Sequence, residues 1–260
     1  MIDPNLRALD DELFCTRFEL QTVSAITLRK SLERWVPGFT SDHTHVQHER
    51  RYEWSCQFAN GKRVLDIACG VGRGSLMLAQ AGAGSVVAVD IDADTVRYAR
   101  VRNGHPNITY LTADAATFQR DEPFDLIVSF ETIEHLRDVH PYLLNVRSLL
   151  APGGLYLVST PISHKDLDRH PTNPHHFQEW GLSAYAELLS GYFDVSDVYL
   201  QLRKYPLPPL LRPFKALLKS LPLISDMVPV DIKALPPPSL RLAKKLVGYQ
   251  IAACRPKAKP

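Results

Sequence analysis

The sequence is poor in cysteine, and the few cysteines it has are scattered along the chain. None of the four, Cys15, Cys56, Cys69 and Cys254, forms a CxxC pair. Disulfide frameworks are dense in cysteine, and structural zinc sites commonly use closely spaced cysteine pairs. The pattern therefore disfavours both, and all four cysteines are expected to be reduced thiols.

Long apolar runs and an excess of one charge are also missing. The N-terminal stretch MIDPNLRALDDELF carries early acidic residues and no apolar segment, which is typical of neither a secretory signal nor a membrane span. We therefore expect a cytoplasmic protein. Thirty basic residues stand against 28 acidic ones, for a formal charge of +2, so the overall charge gives no reason to expect a nucleic-acid partner.

What the sequence does contain is a regular alternation of strand and helix patterns. Its 260 residues, 45% of them hydrophobic, suffice for one large α/β domain with additions. Runs rich in Val and Ile alternate with helical patterns between Lys62 and Thr160, which is typical of βαβ units in a parallel sheet. The predicted strands are 63–68, 85–90, 107–111, 124–130, 155–160, 193–202 and 247–255.

Three parts are predicted along the chain. Residues 1–59 form an N-terminal helical cap, and residues 60–202 with 246–256 form the main domain. Between its last two strands lies an insertion, 203–245, that is dense in proline, leucine and lysine and too long for a hairpin. The insertion could pack against its own domain. It could also form a lid, a homodimer contact or a face that rests on an anionic membrane surface.

A glycine-rich loop follows the first strand. In VLDIACGVGRGS, Gly70, Gly72 and Gly74 stand between a strand and a helix, where missing side chains let the backbone approach a ligand. Asp90 ends the second strand, where a carboxylate can bind ribose hydroxyls. The dinucleotide spacing G-x-G-x-x-G is absent, and Asp66 precedes the turn. The loop therefore predicts a nucleotide-like cofactor and disfavours an oxidoreductase.

These motifs resemble class I S-adenosylmethionine-dependent methyltransferases. The first motif of that family looks like VLDxGCGxG and is matched by VLDIACGVG at 64–72, with Ala68 in place of a glycine. The resemblance continues through VVAVDID, TADA, PFDLIVSFETIEHL and LLAPGGLYLVSTP. It implies S-adenosyl-L-methionine as cofactor and a doubly wound, Rossmann-like α/β fold, in which the seven-stranded sheet is mostly parallel and its last strand antiparallel.

The resemblance also implies roles for cofactor-binding residues. Asp90 should hold the ribose, Ile91 should flank the adenine, and Asp114 with Ala115 should meet the adenine edge. The backbone from Ala68 to Gly72 should surround the methionine part of the cofactor, and Asp66 should lie near its amino group. An ordinary turn carboxylate is the alternative for Asp114. The expected cofactor-binding residues are Arg51, Tyr52, Asp66, Ala68, Gly70, Gly72, Asp90, Ile91, Asp114, Ala115 and Phe130.

Two of these expectations come from a segment before the first motif. HERRYEW resembles the His-x-x-Arg-Tyr segment of sugar-modifying members, in which a helix covers the cofactor. Arg51 or Tyr52 is then expected to contact the carboxylate of the cofactor, with a solvated helix face as the alternative. The nearby His43, His45 and His48 are too irregularly spaced for a metal cluster and are assigned to an acceptor-site loop.

Methyl transfer is an in-line displacement, so the protein must align the acceptor and, for a hydroxyl, remove a proton. The family places the acceptor beyond the carboxyl ends of strands four and five, where Glu131 and His135 lie. His135 is the first candidate base. A histidine that caps the turn after strand four is the structural alternative.

A second acceptor motif is NPHHFQEW at 173–180, which resembles the Asn-Pro-aromatic-His-x-x-Glu stretch of sugar and glycan methyltransferase-like sequences. On a helix, His176 and Glu179 would share one face, and the carboxylate would orient the imidazole. The candidate catalytic residues are thus Glu131, His135, His176 and Glu179. They could also ligate a divalent ion, but no tight spacing such as HExxH occurs, so no metal is predicted.

Three functions remain open. The leading one is O-methylation of a sugar hydroxyl in a saccharide, glycolipid or glycosylated natural product, as in polysaccharide biosynthesis, because the polar stretch HKDLDRHPTNPHH suits a polyhydroxylated acceptor. The second is methylation of a small lipophilic acceptor such as a quinone or polyketide. The third is a non-catalytic cofactor-binding partner of a glycosyltransferase. Nucleic-acid methylation is disfavoured, because SFET stands where amine-modifying members carry an Asn/Asp-Pro-Pro-aromatic motif.

Overall fold

The computed structural model describes residues 4–27, 36, 42–202, 228–230 and 248–257. The chain divides into two compact units. The first comprises Met1–Ser129 and Pro141–Gly154, and the second Phe130–His140 and Leu155–Pro260. Apart from 228–230, the predicted insertion lies outside the described residues, so its role stays a prediction, as do the three part boundaries.

Six helices and ten strands lie in the described part of the chain. The helices are α1 (Pro4–Thr27), α2 (Asp42–Cys56), α3 (Arg73–Gln80), α4 (Ala93–Arg102), α5 (His140–Leu149) and α6 (Leu182–Ser190), with a single 3-10 turn at Ile133–His135. The strands are β1 (Arg63–Ile67), β2 (Ser85–Asp90), β3 (Ile108–Thr112), β4 (Phe124–Phe130), β5 (Leu150–Pro161), β6 (Leu167–Asp168), β7 (Glu179–Trp180), β8 (Phe193–Leu202), β9 (Val228–Val230) and β10 (Gly248–Pro256).

The predicted fold is confirmed. The strand order of the main sheet is β3-β2-β1-β4-β5-β10-β8-β9, and β1 pairs in parallel with both β2 and β4. The last strand, β10, runs antiparallel to β5 and β8. All seven predicted strands are present, and β9 adds an eighth on the edge next to β8. Strand β5 is longer than the predicted 155–160, because residues 150–154 already belong to it.

The first unit is built around strands whose residues are buried on both faces. Val64, Leu65 and Ile67 of β1 are fully buried, as expected for a parallel strand covered on both sides. Helix α4 begins at Ala93, because the Asp92 carboxylate accepts a hydrogen bond from the Thr95 backbone N–H at 2.9 Å and so caps the helix. These elements place the ends of β1 and β2 beside the glycine-rich loop.

Helix α1 packs against α4 within the first unit. The rings of Phe18 and Tyr98 stack with centroids 4.6 Å apart. Arg97 contacts Asp10 and Asp11 near the surface, although exposed ion pairs of this kind contribute little to stability. No helix in the described ranges combines the length and apolarity needed to cross a membrane.

The second unit carries a short hairpin after β5. Strand β6 pairs antiparallel with β7, with Leu167 opposite Trp180 and Asp168 opposite Glu179. Asp168 also receives hydrogen bonds from the Lys165 side chain at 2.9 Å and from the His170 backbone N–H at 3.0 Å. The segment 169–178 therefore forms a loop whose two ends are held together.

The packing of α2 on α3 yields a stability prediction. A methyl group at Gly74 would lie 2.1 Å from carbons of the Tyr52 ring. Alanine is favoured over glycine in helices by about 1 kcal/mol, but overpacking typically costs about 1–3 kcal/mol. An approach of 2.1 Å puts the cost at the upper end of that range, so we expect Gly74→Ala to lower the free energy of unfolding by a net of about 2 kcal/mol, measured by urea denaturation followed by circular dichroism.

The matched control is Gly191→Ala, where the added methyl would meet the Leu188 carbonyl at 3.2 Å. Its φ of −65° suits alanine, so its stability should change by less than about 0.5 kcal/mol. A Gly74→Ala variant as stable as the unsubstituted protein would contradict the close packing of Tyr52.

Candidate cofactor and acceptor sites

The glycine-rich loop turns the chain through three left-handed residues. Ala68, Gly70 and Gly72 have φ values of 61°, 56° and 78°, a region that favours glycine. Ala68 is the position where the resembled family carries glycine, and the left-handed conformation costs a residue with a side chain about 1–2 kcal/mol. Beside Gly70, an added methyl would meet nothing within 4 Å, so the loop borders open space there.

The opposite side of the loop is tightly packed. A methyl at Gly72 would lie 2.5 Å from the Tyr110 hydroxyl oxygen. That hydroxyl is 3.1 Å from the Gly72 carbonyl oxygen and 2.9 Å from that of Asn103, and the Asn103 side-chain amide donates to the Val71 carbonyl at 2.8 Å. These contacts fix the loop from behind and leave the Gly70 side open.

Asp66 lies beneath the loop and is fully buried. Its carboxylate accepts hydrogen bonds from the Tyr52 hydroxyl at 2.9 Å and from the Ser75 hydroxyl at 2.6 Å. Burial raises the pKa of the Asp66 carboxyl to about 6, while the two hydrogen bonds oppose that rise. A cationic amino group near Asp66 would favour its charged form, and the predicted contact with the cofactor amino group stays a prediction.

Asp90 connects the end of β2 to the loop. One carboxylate oxygen accepts the Gly70 backbone N–H at 2.9 Å, and the other accepts the Asp92 N–H at 3.0 Å. Because a carboxylate offers about four lone-pair positions, Asp90 retains the capacity to accept two ribose hydroxyls. The neighbouring Ile91 is 71% exposed, which suits an apolar side chain that packs on a flat base.

Asp114 stabilises a turn after β3. Its side chain accepts the Ala116 N–H at 2.8 Å, and its carbonyl accepts the N–H groups of Thr117 and Phe118. The turn role considered from the sequence is therefore present, and the adenine contact stays a prediction. The Ala115 carbonyl accepts a hydrogen bond from the Asn145 amide at 2.9 Å.

The HERRYEW segment lies in α2. Arg51 is fully buried and Tyr52 nearly so, so the solvated-face alternative is wrong for both residues. The assignment of His43, His45 and His48 to a loop is also wrong, because all three lie within α2. Phe130, the remaining predicted cofactor residue, is buried at the end of β4 in the second unit.

The predicted acceptor residues all lie in the second unit. Glu131 follows β4 with a φ of 58°. Its backbone N–H donates to the Ser159 carbonyl at 3.2 Å, and its carboxylate accepts the Ser159 hydroxyl at 2.7 Å. These two bonds to β5 hold Glu131 in a conformation that side-chain-bearing residues adopt infrequently.

His135 and His176 come together although they are distant in the chain. Their rings meet edge to face, with centroids 4.8 Å apart. The Phe177 backbone N–H donates to the Glu134 carbonyl at 2.9 Å, and the Gln178 side-chain amide donates to the Leu136 carbonyl at 2.9 Å. These bonds tie the 3-10 turn to the loop that precedes β7.

The hydrogen bonds of the two imidazoles determine which nitrogen carries the proton. His135 Nδ1 lies 3.1 Å from the His175 carbonyl oxygen, and His176 Nδ1 lies 2.6 Å from a Glu179 carboxylate oxygen. Both partners accept hydrogen bonds, so each Nδ1 is the protonated nitrogen and each Nε2 carries a lone pair in the neutral ring. The expected pairing of His176 with Glu179 is present, but through a turn and the start of β7 instead of a helix.

Three structurally important residues had no assigned role in the sequence. Ser75 follows the last loop glycine directly, and that position is the signal that would have suggested a contact with the loop. Tyr110 lies in β3 and gave no comparable signal. Glu134 belongs to the ETIEHL motif, but the sequence does not indicate that its side chain is fully buried.

Comparisons with known proteins agree with this geometry. Residues 64–154 match the family described as "Methyltransferase domain". A "Probable S-adenosylmethionine-dependent methyltransferase" of Mycolicibacterium smegmatis is 33% identical over 174 residues, which cover 64% of this chain and 65% of that protein. A "Ubiquinone biosynthesis O-methyltransferase" of Bradyrhizobium sp. is 34% identical over 116 residues, covering 43% and 46%.

A solved structure shows the same fold. The N-methyltransferase NodS from Bradyrhizobium japonicum, in complex with S-adenosyl-L-homocysteine, superposes with a TM-score of 0.58 at 17% identity and covers 91% of this chain and 99% of that one. Residues 64–154 thus match a methyltransferase domain family, and the chain is similar to S-adenosylmethionine-dependent methyltransferases. The chain spans 65% of the length of the M. smegmatis relative, so the activity of the whole protein is a proposal.

The methyltransferase domain has the features that S-adenosylmethionine requires. Open space borders Gly70, and the Asp90 carboxylate lies at the loop. Ile91 presents an exposed apolar side chain, and the buried carboxylate of Asp66 lies under the loop. The residues present therefore fit a cofactor with a ribose, a flat base and a cationic amino group.

The raised pKa of Asp66 predicts how the free energy of unfolding changes with pH. Folding raises the pKa of this carboxyl from its ordinary value of 3.8 to about 6, so the group contributes stability at low pH that is lost as pH rises through this window. Asp66→Asn lacks this titration. The free energy of unfolding of Asp66→Asn, relative to the unsubstituted protein, should therefore rise by about 1 kcal/mol from pH 5 to pH 7, as measured by urea denaturation.

Asp125→Asn is the control, because Asp125 is a carboxylate in the neighbouring strand β4 and accepts the Arg63 backbone N–H at 2.9 Å. Its stability difference from the unsubstituted protein should not rise between the same two pH values. An Asp66→Asn difference that stays constant or falls over this range would show that burial does not raise the pKa of Asp66.

Proposed function

We propose that the protein is an S-adenosylmethionine-dependent methyltransferase that O-methylates a hydroxyl of a saccharide, glycolipid or glycosylated natural product. The observation that carries the proposal is the pair of imidazoles, His135 and His176, with both Nδ1 atoms held by acceptors. Such a pair can orient a hydroxyl and accept its proton through Nε2. The cofactor supplies a methyl group on a positive sulfur, so no covalent enzyme intermediate is needed.

The loop around these imidazoles is rich in exposed polar groups. His164, Lys165, Asp166, Arg169 and His170 are all exposed in or near the β6–β7 hairpin. Polyhydroxylated acceptors are bound through many hydrogen bonds, whereas aromatic acceptors need mainly apolar walls. The composition of this loop therefore supports a saccharide-type acceptor.

His135 is the better placed of the two candidate bases. The side-chain amide nitrogen of Asn173 lies 2.9 Å from His176 Nε2 and donates to its lone pair. His135 is therefore the candidate base, and its Nδ1–H bonds to the His175 carbonyl oxygen. Glu179 then acts through His176 as a positioning residue.

A small phenolic acceptor of the quinone type is the second candidate. It is supported by the Bradyrhizobium relative, whose name is Ubiquinone biosynthesis O-methyltransferase. A non-catalytic role beside a glycosyltransferase, a homodimer and a membrane-surface contact through 203–245 are further proposals, and the last two depend on a segment largely outside the described residues.

Cofactor binding is the first test. We expect calorimetric titration with S-adenosylhomocysteine to show one micromolar site, and Asp90→Ala to weaken it by at least about 10-fold, because hydrogen bonds to a charged group contribute about 1.5–3 kcal/mol each. Asp94→Ala is the control, since Asp94 is an exposed carboxylate in the first turn of α4 and should leave affinity unchanged. Absence of binding to the unsubstituted protein would reject the proposed function.

The acceptor class is tested by transfer of isotopically labelled methyl groups to panels of saccharides and of catechol-type phenols, with products identified by mass spectrometry. Labelled saccharides support the proposal, and labelled phenols alone would replace it with the second candidate. With the accepted substrate, His135→Gln should lower kcat by about 10²–10⁴-fold without changing affinity for S-adenosylhomocysteine. His175→Gln, which alters an exposed side chain in the same loop, should retain activity.

A further inference from the structure

Three side chains in the second unit form a compact donor cluster. Glu134, His135 and His176 each offer one metal-ligating atom, and these atoms all lie within 4.8 Å of one another. The Glu134 side chain is fully buried, and the His176 side chain is 8% exposed. Two imidazoles and a carboxylate form a common donor set for divalent transition metals.

The hydrogen bonds of the histidines match those of metal ligands. A metal-bound histidine usually donates its other N–H to a carboxylate or a backbone carbonyl, which fixes the ring and its tautomer. His176 Nδ1 has the Glu179 carboxylate as partner at 2.6 Å, and His135 Nδ1 has the His175 carbonyl at 3.1 Å. In this tautomer each Nε2 atom carries the lone pair that a metal ion would bind.

We propose that Glu134, His135 Nε2 and His176 Nε2 bind one divalent cation of the Mn²⁺, Fe²⁺, Co²⁺ or Zn²⁺ type. Ligand atoms about 2.0–2.2 Å from an ion lie about 3–4 Å apart, and the three donor atoms, which lie within 4.8 Å of one another, would move closer together on binding. The Asn173 amide, 2.9 Å from His176 Nε2, stands where the ion would bind and must rotate away. Mg²⁺ and Ca²⁺ prefer oxygen ligands throughout and fit this set less well.

Only the role of the ion rests on the proposed function. A bound cation with open positions can hold an acceptor hydroxyl oxygen and lower its pKa, and the proton then leaves to solvent. In that state His135 is a ligand instead of the base. The ligand set itself depends on no acceptor, so ion binding can be tested without one.

The test uses the full-length chain without an affinity tag, stripped of metal with a chelator and titrated with Co²⁺. We expect saturable binding of one equivalent with visible d–d absorption bands. Glu134→Gln and His176→Gln should each lower affinity at least about 10-fold, and Glu179→Gln should lower it by about 10–100-fold through loss of histidine orientation. His175→Gln removes a nearby histidine outside the ligand set as a control and should bind Co²⁺ as the unsubstituted protein does.

Circular dichroism and urea denaturation report whether each variant is folded, and binding of S-adenosylhomocysteine reports whether the cofactor site is intact. If Glu134→Gln does not fold, His176→Gln and Glu179→Gln still decide the question. No saturable Co²⁺ binding to the unsubstituted protein, or equal affinity in folded His176→Gln, would overturn the metal site. Either result leaves the methyltransferase proposal intact, whereas loss of S-adenosylhomocysteine binding would reject that proposal without affecting the Co²⁺ titration.

Discussion

The buried carboxylate of Asp66 connects three segments that surround the cofactor loop. It belongs to β1, and it accepts hydrogen bonds from Tyr52 of α2 and Ser75 of α3. Desolvation of this group is unfavourable, as the rise of its pKa to about 6 shows. A buried charged group is retained when its surroundings compensate it, and here two hydroxyls do so, one on each carboxylate oxygen. The course of the loop between β1 and α3 follows from this arrangement.

The individual glycines of the loop serve different physical purposes. Gly74 is required by packing, because the Tyr52 ring that reaches Asp66 occupies the space of a side chain. Gly72 is required both by its positive φ and by the Tyr110 hydroxyl. Gly70 has a positive φ but open space beside it, so a ligand can approach the backbone there. The motif thus combines a packed side that holds the loop with an open side that binds.

The sequence predicted the parts of the fold that depend on local patterns. Strands β2, β4 and β8 have the predicted bounds, since continuous apolar or alternating runs define them. The expected helix around His176 failed because Asn173-Pro174 opens a turn and Glu179 pairs with Asp168 in a hairpin. Pairing with a strand more than ten residues away decides this conformation. The spacing of the residues in 173–180 does not indicate that pairing.

The candidate acceptor site illustrates the same limit. His135, His176 and Glu179 were expected to be functional, and the structure brings them together. Glu134 was not expected, because neither its full burial nor the long-range bond between its carbonyl and the Phe177 N–H can be read from local sequence. Metal sites with closely spaced ligands are visible in a sequence, but this cluster takes its ligands from two distant segments. The absence of an HExxH spacing therefore argues against a metal site built on one helix. It does not bear on a site whose ligands come from separate segments.

The hydrogen bonds to the two Nδ1 atoms serve both proposed roles of the histidines. A general base and a metal ligand each need a neutral imidazole whose Nε2 lone pair points at the reacting oxygen or the ion. The Glu179 carboxylate and the His175 carbonyl impose that tautomer in either case. What distinguishes the roles is Glu134, since a buried carboxylate beside two lone pairs repels a second anion but attracts a cation. The proposed cation would offset the negative charge of Glu134 beside the two imidazoles.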